Sequence, residues 1–216
     1  MTEFFQTTDA TIRQAIRLRL SRAHAGQDAV IVDELKVSLG SGRLDVAVIN
    51  GRIEGYEIKS DRDSLDRLEK QSMMFGAVAD RMTLVVGSRH LNKALEIVPD
   101  WWSVLHSTAK SDGKVQFKTV RRGRLNRDQH KLALVETLER DEVIALLSTA
   151  DLDRGFRTAN YRTLADRAAS SMSRDDISAF VKKILKVRSR LAFEFGDLAF
   201  GRAVIDCAQP FGKDVG

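Results

Sequence analysis

The spacing of apolar residues predicts helices mixed with strands in the first half of the chain and helices alone in the second. Ile12, Ile16 and Leu20 recur at helical spacing after Asp9, a suitable cap, and before Gly26, a suitable stop. Farther on, short β-branched runs alternate with turn residues, as strands do. The predicted elements, in chain order, are a helix over 9–25; strands over 30–39, 43–49 and 53–60; a helix over 61–79; a strand over 82–86; a helix over 90–98; an edge strand over 115–121; and helices over 127–148, 160–171 and 174–190.

The order of these elements predicts the fold class and the domain organisation. A helix, three strands, a helix and a strand follow one another in the first 90 residues, which favours an α/β fold with a mixed central sheet flanked by helices. From about residue 126 only helical patterns remain. We therefore expect an α/β core over residues 1–125 and an α-helical C-terminal region over 126–216.

A predicted hairpin around Asn50-Gly51 brings polar residues of neighbouring strands together. With a two-residue loop, Asp45 would lie across from Tyr56, and Glu57 would point to the other face of the sheet. With a three-residue loop, Asp45 would lie directly across from Glu57. A bulge at Gly55 would have a similar effect. The chemistry below therefore requires a three-residue loop or a glycine bulge.

This hairpin carries residue types suited to phosphodiester hydrolysis. Glu57 and Lys59 are two positions apart on a strand, so their side chains share a face. Two adjacent carboxylates can hold a hard divalent cation, and a neighbouring lysine can orient water or offset charge on a phosphate. The local pattern is not specific by itself, because Glu34-Leu35-Lys36 repeats it without an acidic hairpin partner. These residues could equally form a charged strand edge.

Asp45 followed by Glu57-Ile58-Lys59 in an αβββαβ frame resembles the PD-(D/E)XK nuclease superfamily, and the segment 56–71 is also similar to a family of small, mostly uncharacterised bacterial proteins within it. Two positions depart from the superfamily pattern. Leu44 stands where a proline often precedes the aspartate, and Phe75 stands where a tyrosine would follow Gln71.

The resemblance implies a restriction-endonuclease-like core and a Mg²⁺- or Mn²⁺-dependent nuclease, with DNA preferred over RNA as substrate. It implies metal ligation by Glu34, Asp45, Glu57 and the carbonyl of Ile58. It further implies that Lys59 assists the attacking water and that Gln71 supports the site. The alternative is a catalytically inactive nuclease-fold module that binds nucleic acid or a protein partner.

Charge is distributed unevenly along the chain and indicates where a polyanion could bind. The net charge is +5, made up of −1 over residues 1–100 and +6 over residues 101–216. A basic excess is compatible with nucleic-acid binding through phosphates. The candidate nucleic-acid-binding residues are Arg13, Arg17, Arg121, Arg122 and Arg124. A solvated helix face is the alternative for Arg13 and Arg17.

Other features of the sequence exclude several classes of protein. The single cysteine, Cys207, cannot form an intramolecular disulfide and is too few for a cysteine zinc site. No apolar run approaches the ~20 residues of a membrane span, and the N-terminus lacks a secretory pattern. We therefore expect a cytoplasmic protein without membrane contact, with a homodimer as a further expectation.

Overall fold

The computed structural model describes residues 6–195; residues 1–5 and 196–216 lie outside the described part, and so does Cys207. The chain forms two compact units, which meet in sequence between Gln129 and His130. The sequence placed this boundary after residue 125. Each unit is described separately below.

The first unit is built on one mixed sheet of six strands. Its helices are α1 (Asp9–Ala23), α2 (Leu68–Gly76) and α3 (Leu91–Ile97). Its strands are β1 (Val30–Val37), β2 (Gly42–Ile49), β3 (Ile53–Lys59), β4 (Arg81–Gly87), β5 (Ser103–Ala109) and β6 (Val115–Arg121). The strands lie side by side in chain order; β3, β4 and β5 are mutually parallel, and the other neighbours are antiparallel. The predicted α/β class, the αβββαβ order and the edge position of β6 are therefore confirmed.

Alternation along β2 and β3 separates the two faces of the sheet. Val46, Val48 and Ile58 pack in one buried cluster with Ile12 and Ile16 of α1. Because successive strand residues point to opposite faces, Asp45 and Glu57 belong to the other face, where α2 contacts β2. The side chain of Glu57 thus lies across the sheet from the α1 core, whereas Asp45 is within reach of Arg13 of α1.

Two predictions for the first unit are wrong. The helix predicted over 61–79 spans only Leu68–Gly76, because the N–H and hydroxyl of Ser60 both donate to the Asp63 carboxylate and hold a turn after β3. Strand β5 was not predicted, since its polar residues weaken the apolar signal, although it pairs with both β4 and β6.

The second unit consists of the helices α4 (Lys131–Val135), α5 (Arg140–Ser148), α6 (Tyr161–Ser171) and α7 (Arg174–Phe195). The single helix predicted over 127–148 is two helices. Glu139 begins the second with a capping box, in which the backbone N–H of Glu139 donates to the Glu142 carboxylate. The helices expected over 160–171 and 174–190 are present, the first capped by Asn160. Within residues 6–195, no helix is long and apolar enough to cross a membrane.

Candidate active site

Three acidic residues occupy one row across β1, β2 and β3. The β2–β3 pairs run from Ile49 with Ile53 to Val46 with Tyr56, which is the register of a three-residue loop without a bulge. One position farther, the same register sets Asp45 across from Glu57. On the other side of β2, the pairs flanking Asp45 set it across from Glu34. Of the two arrangements that the proposed chemistry allowed, the structure has the three-residue loop and not the bulge at Gly55.

Asp45 lies just beyond the last pair of β2 and β3, Val46 with Tyr56, and its carboxylate accepts a hydrogen bond from the backbone of β3 in place of a backbone carbonyl of β2. The backbone N–H of Ile58 donates to Asp45 Oδ2 at 2.7 Å, and Arg13 donates to Asp45 Oδ1 at 2.9 Å and to its carbonyl at 2.6 Å. Burial raises the pKa of Asp45, opposed by the Ile58 hydrogen bond and by the charge of Arg13. The N–H of Ile58 thus fixes the Asp45 carboxylate, while metal ligation by the carbonyl of Ile58 stays a prediction.

Glu57 is a buried carboxylate with one unused oxygen. Its side chain is 1% exposed, and Lys59 Nζ donates to Glu57 Oε1 at 2.6 Å. Burial raises the pKa of Glu57 to about 8; the negative charge of Asp45 adds to this effect, while Lys59 and the Gln71 side chain oppose it. Nevertheless Glu57 Oε2 and Gln71 Oε1 are both buried without a hydrogen-bond partner in the described protein. The structure thus brings together four predicted site residues: Asp45, Glu57, Lys59 and Gln71.

Glu34 belongs to the same row, but its carboxylate forms ion pairs with two arginines of the protein. It has a left-handed backbone (φ 53°), and the β1–β2 pairing skips it. Its carboxylate is 41% exposed and forms ion pairs of 3.1 Å with Arg13 and with Arg43. Among residues 6–195, no three His, Cys, Asp or Glu side chains lie close enough to hold a metal ion. The predicted ligand set including Glu34 is therefore not assembled in this conformation.

Arg13 joins the acidic residues of three elements. Its guanidinium bonds to Asp9 one turn earlier on α1, at 3.2 Å, as well as to Glu34 on β1 and Asp45 on β2. This role was not predicted from the sequence, which suggested contact with phosphate or a solvated helix face. The helical spacing of Asp9 and Arg13 was the available signal, but it carries no information about strands distant in sequence.

The other predicted nucleic-acid-binding residues differ in their surroundings. Arg17 forms an ion pair with Asp33. Arg121 donates to the carbonyls of Trp102 at 3.0 Å and Pro99 at 2.9 Å, and so joins β6 to the segment before β5. The side chains of Arg122 and Arg124 lie at the surface.

Asp61 has a structural role that the sequence did not reveal. It is 3% exposed, and its carboxylate accepts from the N–H and hydroxyl of Thr7, at 2.8 and 2.7 Å, and from the N–H of Arg89, at 2.9 Å. These bonds lower the pKa of Asp61 against the effect of burial. The segment preceding α1 is thereby fixed to the turn that follows Lys59.

The donor atoms present suit a hard divalent cation. Mg²⁺ and Mn²⁺ prefer oxygen ligands, and the buried Glu57 Oε2 and Gln71 Oε1 have no other partner in the described residues. A buried acceptor without a partner costs free energy, which a bound cation would recover. Asp45 supplies a further carboxylate next to them, although both its oxygens accept hydrogen bonds here.

Comparisons with known proteins give a family without assigning a reaction. The chain is 29% identical over 161 residues to protein cII of Enterobacteria phage P4, which covers 74% of this chain and 60% of that protein. It also resembles the SPO1766 protein of unknown function from Silicibacter pomeroyi, with 22% identity, a TM-score of 0.38 and coverage of 54% of this chain and 71% of that one. The family model described as Bacteriophage P4 protein cII matches residues 6–196. This chain therefore belongs to the bacteriophage P4 cII family.

Proposed function

We propose that this protein is a Mg²⁺- or Mn²⁺-dependent nuclease of PD-(D/E)XK type, with DNA preferred over RNA as substrate. The restriction-endonuclease-like core would comprise α1, β1–β3, α2 and β4. The observation that carries the proposal is the buried cluster of Asp45, Glu57, Lys59 and Gln71, in which Glu57 Oε2 and Gln71 Oε1 have no hydrogen-bond partner of ordinary geometry among the described residues. A purely structural Glu57–Lys59 pair would gain nothing from a second buried carboxylate beside it, because like charges repel in a poorly solvated site.

Asp45 and Glu57 would hold the metal, with Gln71 Oε1 next to them and Glu34 available once released from Arg13 and Arg43. When bound, the metal would activate water and neutralise charge on the phosphate. It would also favour the ionised form of Glu57, which burial disfavours.

Lys59 would contact the scissile phosphate or the attacking water. Its Nζ already points at Glu57 Oε1, and an ammonium has three donors, so two N–H groups remain for substrate. A cation held by packing, with its side chain 10% exposed, stabilises developing negative charge more strongly than one in bulk water.

The second candidate is an inactive nuclease-fold module that binds nucleic acid or a protein. One observation favours it: Arg13 and the Ile58 N–H already satisfy both oxygens of Asp45 without a metal. The two candidates differ in whether phosphodiester bonds are cleaved.

The test is hydrolysis of fluorescent single-stranded DNA, double-stranded DNA and RNA with Mg²⁺, Mn²⁺ or EDTA. We expect metal-dependent cleavage, faster on DNA, that falls at least ~100-fold in Asp45→Asn and in Lys59→Met.

The controls are Asp33→Asn and Lys36→Met, which alter exposed residues of β1 with the same chemistry. Both should retain activity. Absence of cleavage with either metal, or equal loss in test and control variants that remain folded, would favour the binding module.

A further inference from the structure

A basic groove lies between α1 and strands β4–β6, on the face of the sheet opposite Glu57. Two adjoining cavities, of about 370 and 590 Å³, share Arg19 as a lining residue. The first extends over the start of β4 and β5 to the end of β6, and the second extends to the β5–β6 turn. We call both together the α1–β6 groove.

The groove is lined by cations without neighbouring acids in its wall. The basic lining residues are Arg19, Arg22, Arg81, Lys114 and Arg122, and no Asp or Glu is among the described residues that line it. Lys114 is paired with Asp112 at the surface. Glu54 is aligned with Arg81 across β3 and β4, and its negative charge acts on Tyr56 together with the positive charge of Arg19. With five basic and no acidic side chains among the described lining residues, the wall of the groove carries a net positive charge.

The remaining wall contains hydroxyl groups and aromatic rings. Thr83, Ser103 and Thr119 line the smaller cavity together with Tyr56, which is half-buried. The Arg19 guanidinium lies 5.9 Å from the centre of the Phe117 ring in the larger one. A cation stacked on an aromatic ring is partly oriented before any ligand arrives.

We propose that the α1–β6 groove binds the phosphodiester backbone of a single nucleic-acid strand. Spaced arginines with hydroxyl donors suit successive phosphates, and aromatic side chains between them suit unpaired bases. Since Tyr56 and Glu57 point to opposite faces of β3, this groove is separate from the acidic row. Binding there requires neither metal nor hydrolysis, so it can be tested independently of the proposed nuclease activity.

The experiment is fluorescence anisotropy of a fluorescein-labelled oligodeoxythymidylate with the full chain in EDTA, over a range of NaCl concentrations. The test variant combines Arg19→Gln with Arg122→Gln. The matched control combines Arg52→Gln with Arg154→Gln, which removes the same charge from exposed positions outside the groove. Thermal unfolding verifies that both variants are folded.

We expect the test variant to weaken binding by roughly tenfold or more. The slope of log affinity against log salt should also decrease by about 1.4, or ~0.7 for each lost phosphate contact. The control should bind as the wild type does. Equal affinities of the test variant and the wild type would overturn the proposal. So would displacement of the oligonucleotide by polyglutamate as readily as by unlabelled oligonucleotide, since that would indicate an acidic protein partner.

Discussion

Replacement of Glu57 by glutamine should stabilise the metal-free protein increasingly as the pH rises. The pKa of Glu57 is about 8 in the folded protein, above its ordinary value of 4.5, so the folded state holds this proton more tightly than the unfolded chain. The stability that this group contributes is complete below its unfolded pKa and is lost as the pH rises through its folded pKa. Glutamine at this position does not ionise and retains an acceptor for Lys59.

The size of the effect follows from the pKa difference. Each pKa unit corresponds to about 1.4 kcal/mol, and the loss levels off above the folded pKa, so between about pH 6 and pH 8.5 the wild type should lose roughly 2.5 kcal/mol relative to Glu57→Gln. A constant offset between the two proteins, from altered packing or a weaker bond to Lys59, does not change this pH-dependent difference.

The assay is urea unfolding in EDTA, followed by tryptophan fluorescence at several pH values. Both tryptophans, Trp101 and Trp102, belong to the first unit, and Trp102 is fully buried, so the signal reports on the unit that contains Glu57. Glu69→Gln, at an exposed position on α2, is the matched control and should follow the wild-type profile. Parallel pH profiles for wild type and Glu57→Gln would refute the reasoning, because burial would then not perturb this carboxylate.

Further substitutions test other parts of the structure. Arg13→Gln removes charge-assisted bonds to three carboxylates, so the free energy of unfolding should fall by about 2 kcal/mol. Because the guanidinium of Arg13 competes with a metal ion for these carboxylates, the affinity for Mn²⁺ should rise in the same variant. Weaker Mn²⁺ binding would contradict this competition. Gly87→Ala would place a Cβ 2.6 Å from Asp61 Oδ1 and 2.8 Å from the backbone N of Asp61. The free energy of unfolding of this variant should therefore fall by about 2 kcal/mol, measured as a lower melting temperature. The Cβ of Gly55→Ala would instead meet only side-chain atoms, the sulfur of Met82 and the methyl groups of Leu44, which can shift more easily than backbone, so this variant should cost less. The reverse order would contradict the packing described.

Local patterns predicted the hairpin but left its register open between a two-residue loop, a three-residue loop and a bulge at Gly55. The loop around Asn50 and the alternation along β2 and β3 depend on residues close in sequence, and the structure has the three-residue loop that sets Asp45 across from Glu57. The proximity of Gln71 to Glu57 came from the family resemblance rather than from periodicity. Except for β5, the order of the elements in the first unit could be predicted from the sequence, because these strands and helices each have their own apolar repeat.

Contacts between distant segments could not be predicted in this way. Arg13 was expected either at a phosphate or on a solvated helix face, yet it meets acids from β1 and β2 that only the tertiary fold brings near. Likewise Asp61 looked like a helix cap but binds Thr7, 54 residues earlier. Strand β5 was missed because pairing on both sides stabilises it more than its own composition does.

The most direct measurement of the central claim is Mn²⁺ binding, followed by electron paramagnetic resonance of the free ion. The wild type should bind Mn²⁺ saturably, Glu57→Gln should lose this binding, and Glu69→Gln should bind as the wild type does. Binding that is absent from the wild type, or that persists equally in Glu57→Gln, would contradict the assignment of this buried carboxylate as a metal ligand.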